Sequence, residues 1–121
     1  DKTFYVTMMG VFPEKAAEFV EEIGAHIVAL NCGTGMDMMG AAKVIRIYRK
    51  NCKLPTMGQP NAGLPVLEGG KAVYKQLPSD MALDVPEVLA AGTNIVGSCC
   101  GSTPDHTRAI RGVVDVYNRG K

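Results

Sequence analysis

The sequence has no excess of either charge: thirteen Lys and Arg offset twelve Asp and Glu, for a net charge of +1. A balance of this kind gives no electrostatic footprint for nucleic acid or an anionic membrane. No apolar run approaches the roughly 20 residues of a membrane span. No signal peptide is visible at Asp1, and the lack of a starting Met fits a processed or excised segment. Gly33-Thr34-Gly35 lacks the further glycine and lysine of a phosphate loop, so a nucleotide site is not expected. No Pro/Gly/Ser-rich linker divides the chain, and 121 residues are enough for one small domain, 1–121, with a modest core.

What is present is concentrated in Val96-Gly97-Ser98-Cys99-Cys100-Gly101-Ser102-Thr103-Pro104-Asp105-His106. Ile95 and Val96 suit a buried strand. Gly101 allows a sharp turn, and Thr103-Pro104 reads as a helix N-cap followed by proline in the first turn. Two thiols therefore stand where a strand ends and a helix begins, the edge at which α/β proteins bind ligands. The helix N-terminus is expected to lower the pKa of these thiols. Adjacent cysteines rarely pair with each other, because the disulfide is strained. They can both ligate one metal, with a third ligand from elsewhere. Cys32, at the end of the apolar run Ile27–Leu30 and before Gly33, is the candidate. Three thiolates with a fourth position open is the arrangement of a catalytic zinc rather than a structural one. The competing reading of Cys99-Cys100 is a pair of small buried hydrophobes.

The remaining chain reads as β-α repeated four times. Thr3–Met8 is expected as a strand, and Pro13 opens a helix with Ala16, Ala17, Phe19, Val20 and Ile23 on its apolar face, ended by Gly24. Ile27–Leu30 is the second strand. A helix from about Asp37 to Lys50 follows, burying Val44, Ile45, Ile47 and Tyr48. Leu54–Gln59 is a third, weak strand. The stretch from Val66 to Leu77, centred on Gly69-Gly70, reads as a flap over the strand ends. A helix starting near Pro86 and ending at Gly92, with a single helical turn before it, leads to the fourth strand, Ile95–Ser98. Pro104–Asn118 is the last helix, with Ile110, Val113, Val114 and Tyr117 buried. Such alternation demands parallel strands with right-handed crossovers. Cysteines at strand ends in an α/β pattern read as reduced, cytoplasmic thiols rather than disulfides.

Other residues carry weaker signals. Asn31 and Asn61 can brace turns or bind substrate polar atoms, and Gln59 is similar. Free amides around Gly101, Ser102 and Thr103 can receive a substrate carboxylate. His106 reads as a surface or loop-bracing residue and His26 as structural. Cys52 reads as a bystander. Met36, Met38 and Met39 read as packing rather than as soft-metal ligands.

Asn31-Cys32-Gly33, Gln59-Pro60-Asn61-Ala62-Gly63-Leu64-Pro65 and Ser98–His106 together resemble three ordered motifs of the zinc-dependent homocysteine S-methyltransferases. The resemblance covers nearly the whole chain. It implies a (β/α)8 barrel, of which this chain would be the C-terminal half, since a whole barrel needs about 250 residues. It implies zinc on Cys32, Cys99 and Cys100, and homocysteine as methyl acceptor on that zinc. The donor would be a methylcorrinoid, a betaine or a sulfonium compound. Ser98 stands where glycine is usual, and the acidic substrate-binding residues of the early strands have no counterpart here. A half-barrel leaves two strand edges open, which points to a missing N-terminal half or a homodimer as partner. Two other functions remain open: methyl transfer between a corrinoid protein and another small substrate, and a catalytically inactive zinc-binding half-barrel.

Overall fold

Short apolar runs alternate with helical stripes along the chain, and the computed structural model, which describes residues 5–121, turns them into ten elements. Helix α1 (Pro13–Glu22) precedes strand β1 (Val28–Leu30), helix α2 (Met38–Asn51) and strand β2 (Thr56–Gly58). A hairpin of β3 (Pro65–Glu68) and β4 (Lys71–Tyr74) follows, then helices α3 (Pro78–Leu83) and α4 (Val85–Ala91). Strand β5 (Ile95–Val96) and helix α5 (Pro104–Arg119) complete the order. The protein is thus α/β with parallel strands.

Local chemistry sets the boundaries. Asp37 caps α2 by accepting from the Gly40 amide at 2.8 Å, as short acidic side chains do at N-caps. The helices α1, α3, α4 and α5 all begin with proline in the first turn, where the missing N–H costs nothing. Gly92 ends α4 at φ 102°, a left-handed conformation that favours glycine.

Strands β1, β2 and β5 form one parallel sheet in that order, with Val28 opposite Thr56, Ala29 opposite Met57, and Met57 opposite Ile95. The order in space is the order in the chain. The helices follow it: α1 packs on α2, α2 on α4, and α4 on α5. A side chain added at Gly58 would meet Ala41 and Ile45 of α2 and Val88 of α4. The Val28, Leu30, Thr56 and Gly58 face therefore looks at the helices, and the core lies between, built on Met38, Ala41, Ile45, Met81, Val85 and Val88. The alternate row Ala29, Met57 and Ile95 looks the other way. Ala29 is exposed, Met57 half-buried and Ile95 44% exposed. Tyr48 of α2 donates to the Ala29 carbonyl at 3.1 Å, tying helix to strand. Burial, and secondarily the nearby Cys52, push its phenol pKa up, so it stays a donor. Asn94 ties β5 to β2 by accepting from the Thr56 amide at 3.0 Å.

Four expectations change. The strand expected over Thr3–Met8 is not formed in its described part: Tyr5, Val6 and Thr7 pair with no strand, and residues 3 and 4 lie outside the described residues. The backbone there is satisfied locally instead, with the Thr7 amide donating to Val11 O at 2.9 Å and the Gly10 amide to Thr7 O at 2.9 Å. The described sheet accordingly carries three β-α units rather than four. The flap is a β-hairpin, with Gly69 and Gly70 both at positive φ, the backbone a two-residue hairpin turn requires. The apolar face of α1 is only partly covered: Ala17 is buried, whereas Phe19 is 59% and Ile23 62% exposed. On α5 Ile110 is buried, Val113 and Val114 are half-buried, and Tyr117 is exposed.

Ile45 is fully buried between the sheet and α4. Ile45→Ala should lower unfolding free energy by roughly 2–5 kcal/mol, measured by urea denaturation; a loss below about 1 kcal/mol would contradict this packing.

Candidate metal centre

Cys32 stands just beyond the C-terminal end of β1, and Cys99-Cys100 just beyond that of β5. These are the two outer strands of the sheet, with β2 between them, so strand spacing alone leaves about 10 Å to be closed. The loop after β2 closes it. The Cys99 amide donates to Pro60 O at 2.7 Å, and the Ala62 amide donates to Cys100 O at 2.9 Å. On the other side the Asn61 amide donates to Met36 O at 2.8 Å, and its side-chain Nδ2 to Gly33 O at 3.2 Å. The Gln59-Pro60-Asn61-Ala62 segment thus stitches the two cysteine loops together.

The three sulfurs end within 4.8 Å of one another. Cys32 and Cys100 are exposed and Cys99 is half-buried, so the cluster is open on one side. A tetrahedral zinc with Zn–S near 2.3 Å sets sulfurs about 3.8 Å apart. The residues fit that ion: three soft donors, nearly at spacing, with room for a fourth ligand. The Oδ1 of buried Asn61, in the bridging loop, has no hydrogen-bond partner among the described residues.

The electrostatics of the cluster come from the thiols themselves. A hydrogen bond with Cys32 is the largest influence on Cys99 and lowers its pKa. The same bond, with a further one to Cys100, pushes Cys32 up to about 11. Sequence reasoning assigned the lowering to the helix N-terminus; the neighbouring thiol is the larger cause.

The other expected residues divide by what they touch. Asn31 is exposed beside Cys32. Gly101 takes φ 82°, and a Cβ there would sit 2.2 Å from Tyr74 Cβ, so only glycine allows the approach of β4. The Ser102 hydroxyl donates to Cys99 O at 2.6 Å and its amide to the same oxygen at 3.2 Å. The Thr103 amide donates to His106 Nδ1 at 3.1 Å. Both amides thus already have acceptors, and capture of a carboxylate there requires those bonds to open. Gln59 packs its side chain on Gly97. His106 is a loop-bracing residue: it is 5% exposed, and its Nε2 stands 2.7 Å from Gln76 O. With Nδ1 accepting from Thr103, Nε2 carries the proton and donates. Cys52 is half-buried at the end of α2, away from the cluster. Met36 and Met38 are buried in the core, as packing residues are, and Met39 is partly exposed.

Tyr74 was not singled out from the sequence. Its phenol pKa is raised, first by desolvation and then by the nearby Cys100 thiol; Cys32 and Cys99 add smaller contributions. The signal that could have found it is the Gly-Gly turn, which fixes the hairpin and returns its second strand to the cysteines.

Comparison with known proteins identifies a family. The sequence matches the homocysteine S-methyltransferase family over residues 1–114. The chain belongs to that family. It is 38% identical over 102 residues to the methionine synthase of Mycobacterium leprae (strain TN), an overlap of 84% of this chain and 8% of that protein. To the methionine synthase of Mycobacterium tuberculosis (strain ATCC 25618 / H37Rv) it is 38% identical over 96 residues, 78% of this chain and 8% of that protein. The chain therefore spans about 8% of the length of these relatives. Among the described residues no helix is long and apolar enough to cross a membrane.

In metal-free protein Cys99 should ionise at lower pH than Cys32, whose pKa is pushed up to about 11. Because the thiolate is the reactive form, pulsed alkylation at pH 8 read by mass spectrometry should label Cys99 ahead of Cys32. Equal labelling would contradict this ordering of the two thiols.

Proposed function

We propose that Cys32, Cys99 and Cys100 bind one zinc ion and that the chain is the zinc-bearing part of an enzyme that methylates homocysteine to methionine. The observation that carries this reading is the meeting of three cysteine sulfurs within 4.8 Å at the C-terminal ends of parallel strands, open on one side. Family membership and likeness to proteins named methionine synthase support the substrate and product. Zinc held there would act as a Lewis acid, keeping the homocysteine sulfur as a thiolate at neutral pH.

The chain's own residues supply the rest. The three cysteines give an electron-rich donor set, which keeps a fourth sulfur nucleophilic. The Gln59–Ala62 segment holds the cysteines in place, and the β3–β4 hairpin limits water on one side. The homocysteine sulfur attacks the methyl carbon in line. A sulfur–carbon bond forms, the carbon–donor bond breaks, and its electron pair stays with the donor. A methylcorrinoid, a betaine or a sulfonium compound can serve as that donor. Asn31 and the Gly101-Ser102-Thr103 turn lie beside the cysteines in sequence, and Asn61 is hydrogen-bonded to Gly33 O next to Cys32; these are the residues we assign to substrate polar groups, Asn61 through its unpartnered Oδ1.

We read residues 1–121 as one domain, and its three β-α units as consecutive units of a (β/α)8 barrel. In-order strands with in-order helices support this, since a doubly wound sheet reverses strand order. The apolar row Ala29, Met57 and Ile95 would then line the barrel interior, with the other half-barrel or a second copy of the chain as its cover. A chain with that face uncovered can hold metal and still be catalytically inactive alone. Thiols that must stay reduced support a cytoplasmic location.

Purified without added metal, the parent chain should carry about one zinc per chain and Cys99→Ser little, three cysteine donors being the set such a site needs. Calorimetry should then show homocysteine binding to the zinc-loaded parent and none after chelation. Zinc-independent homocysteine binding would sink the mechanism, and equal zinc in parent and variant would sink the ligand assignment.

A further inference from the structure

Independently of which ion or substrate the cysteines take, we propose that the β3–β4 hairpin is a lid over the cysteine turn that opens as one body, and that His106 is its latch.

The hairpin holds itself together and buries little. Its residue pairs run from Pro65 opposite Tyr74 to Glu68 opposite Lys71. Lys75 and Glu68 form an ion pair across it. All four residues of β3 are exposed, as are Lys71 and Ala72 of β4. A segment with so few buried contacts lies at the low end of local stability.

Its attachment is at the base. Gly63, at φ 86°, leads into β3, a backbone that glycine adopts freely. Beyond β4 the Leu77 amide donates to Asp80 Oδ2 at 2.9 Å, which fixes the chain to α3. Rotation falls to Gly63-Leu64 on one side and Lys75-Gln76 on the other. Between these points the Gln76 amide donates to Ala62 O at 3.3 Å. Tyr74 Cβ lies 2.2 Å from where a Gly101 side chain would begin, so closure seats it on the residue after Cys100. His106 Nε2 donates to Gln76 O across 2.7 Å, the shorter of the two bonds. Closure also has a cost. Gln76 Oε1 is buried with no hydrogen-bond partner among the described residues, and opening returns it to water.

The latch works without disturbing the helix that carries it. His106 Nδ1 accepts from the Thr103 amide at 3.1 Å and stands 2.9 Å from Thr103 Oγ1. Those contacts stay within the first turn of α5, and the ring is buried there. Opening therefore breaks the bond at Nε2 and leaves the cap intact. Two hydrogen bonds, each worth roughly tenfold, put the open state on the order of 1% of the population.

Amide hydrogen exchange, followed by NMR on the metal-free 121-residue chain, tests this. In the parent the Gln76 amide should be slowed only about 100-fold relative to unstructured chain. The Gln59 amide, bonded to Leu30 O at 3.1 Å at the end of the sheet, should be slowed far more. Equal protection of the two would overturn the lid. His106→Asn keeps an acceptor at the Nδ1 position and places nothing at Nε2. It should speed exchange at Gln76 by roughly 3–10-fold and leave Gln59 and Thr103 within about twofold of the parent. Labelling of half-buried Cys99 by a bulky maleimide should speed by the same factor. No acceleration at Gln76, or equal acceleration at Gln76 and Gln59, would overturn the latch. Faster exchange at Gln76 with unchanged Cys99 labelling would overturn the lid. The parent comparison decides the lid even where the variant fails to fold. Each reading is taken without metal, so these outcomes stay separate from the zinc content that decides the metal-site reading.

Discussion

Two backbone hydrogen bonds hold the site together: Cys99 N to Pro60 O and Ala62 N to Cys100 O. They draw the end of the third strand toward the loop after the second. The two Asn61 bonds do the same for the loop after the first. Without this central stitch the cysteines would stand a strand's width too far apart on each side. Pro60 and Asn61 are almost fully buried, so the stitch is anchored in the core rather than in solvent. Backbone donors satisfied in this way, in a buried loop, are expensive to open.

Everything above the sheet hangs from the same segment. Ala62 also takes the hairpin's exit, through Gln76, and His106 fixes Gln76 from the other side. A histidine three residues after an N-cap does here what Glu or Gln does in a capping box, and its second nitrogen is free to reach a different loop. One buried imidazole therefore links the last helix, the hairpin and the cysteine turn. Helix capping and site assembly are the same set of bonds.

Much of this was legible in the sequence. Proline at three helix starts (Pro13, Pro86 and Pro104), the start expected near Asp37 and Gly92 as a stop marked four of the helices within a residue or two. Alternation of apolar runs with those helices gave parallel strands. The cysteine set came from two adjacent thiols after one strand and a third after another. What escaped depended on partners rather than on local preference. Thr3–Met8 has strand composition, but its described backbone groups close a turn at Gly10 instead of finding a ladder. Phe19 and Ile23 have helical spacing without a surface to cover them. The hairpin carried its own sign in Gly69-Gly70, yet Lys71, Lys75 and Glu68 made the stretch look like an irregular loop. Tyr74 could not be read at all without knowing that Gly101 admits it.

The sheet's in-order layout bears on how the protein comes into being. Each strand pairs with the one made before it, so the units can dock one after another as the chain leaves the ribosome, with short loops to close at each step. The cysteines obey a different schedule. Cys32 belongs to the first described strand, and its partners follow the last. No earlier intermediate can bring them together. An assembled sulfur cluster is thus a certificate that the last described strand has docked, and a metal ion that waits for it would bind the docked sheet in preference to a chain still lacking that strand.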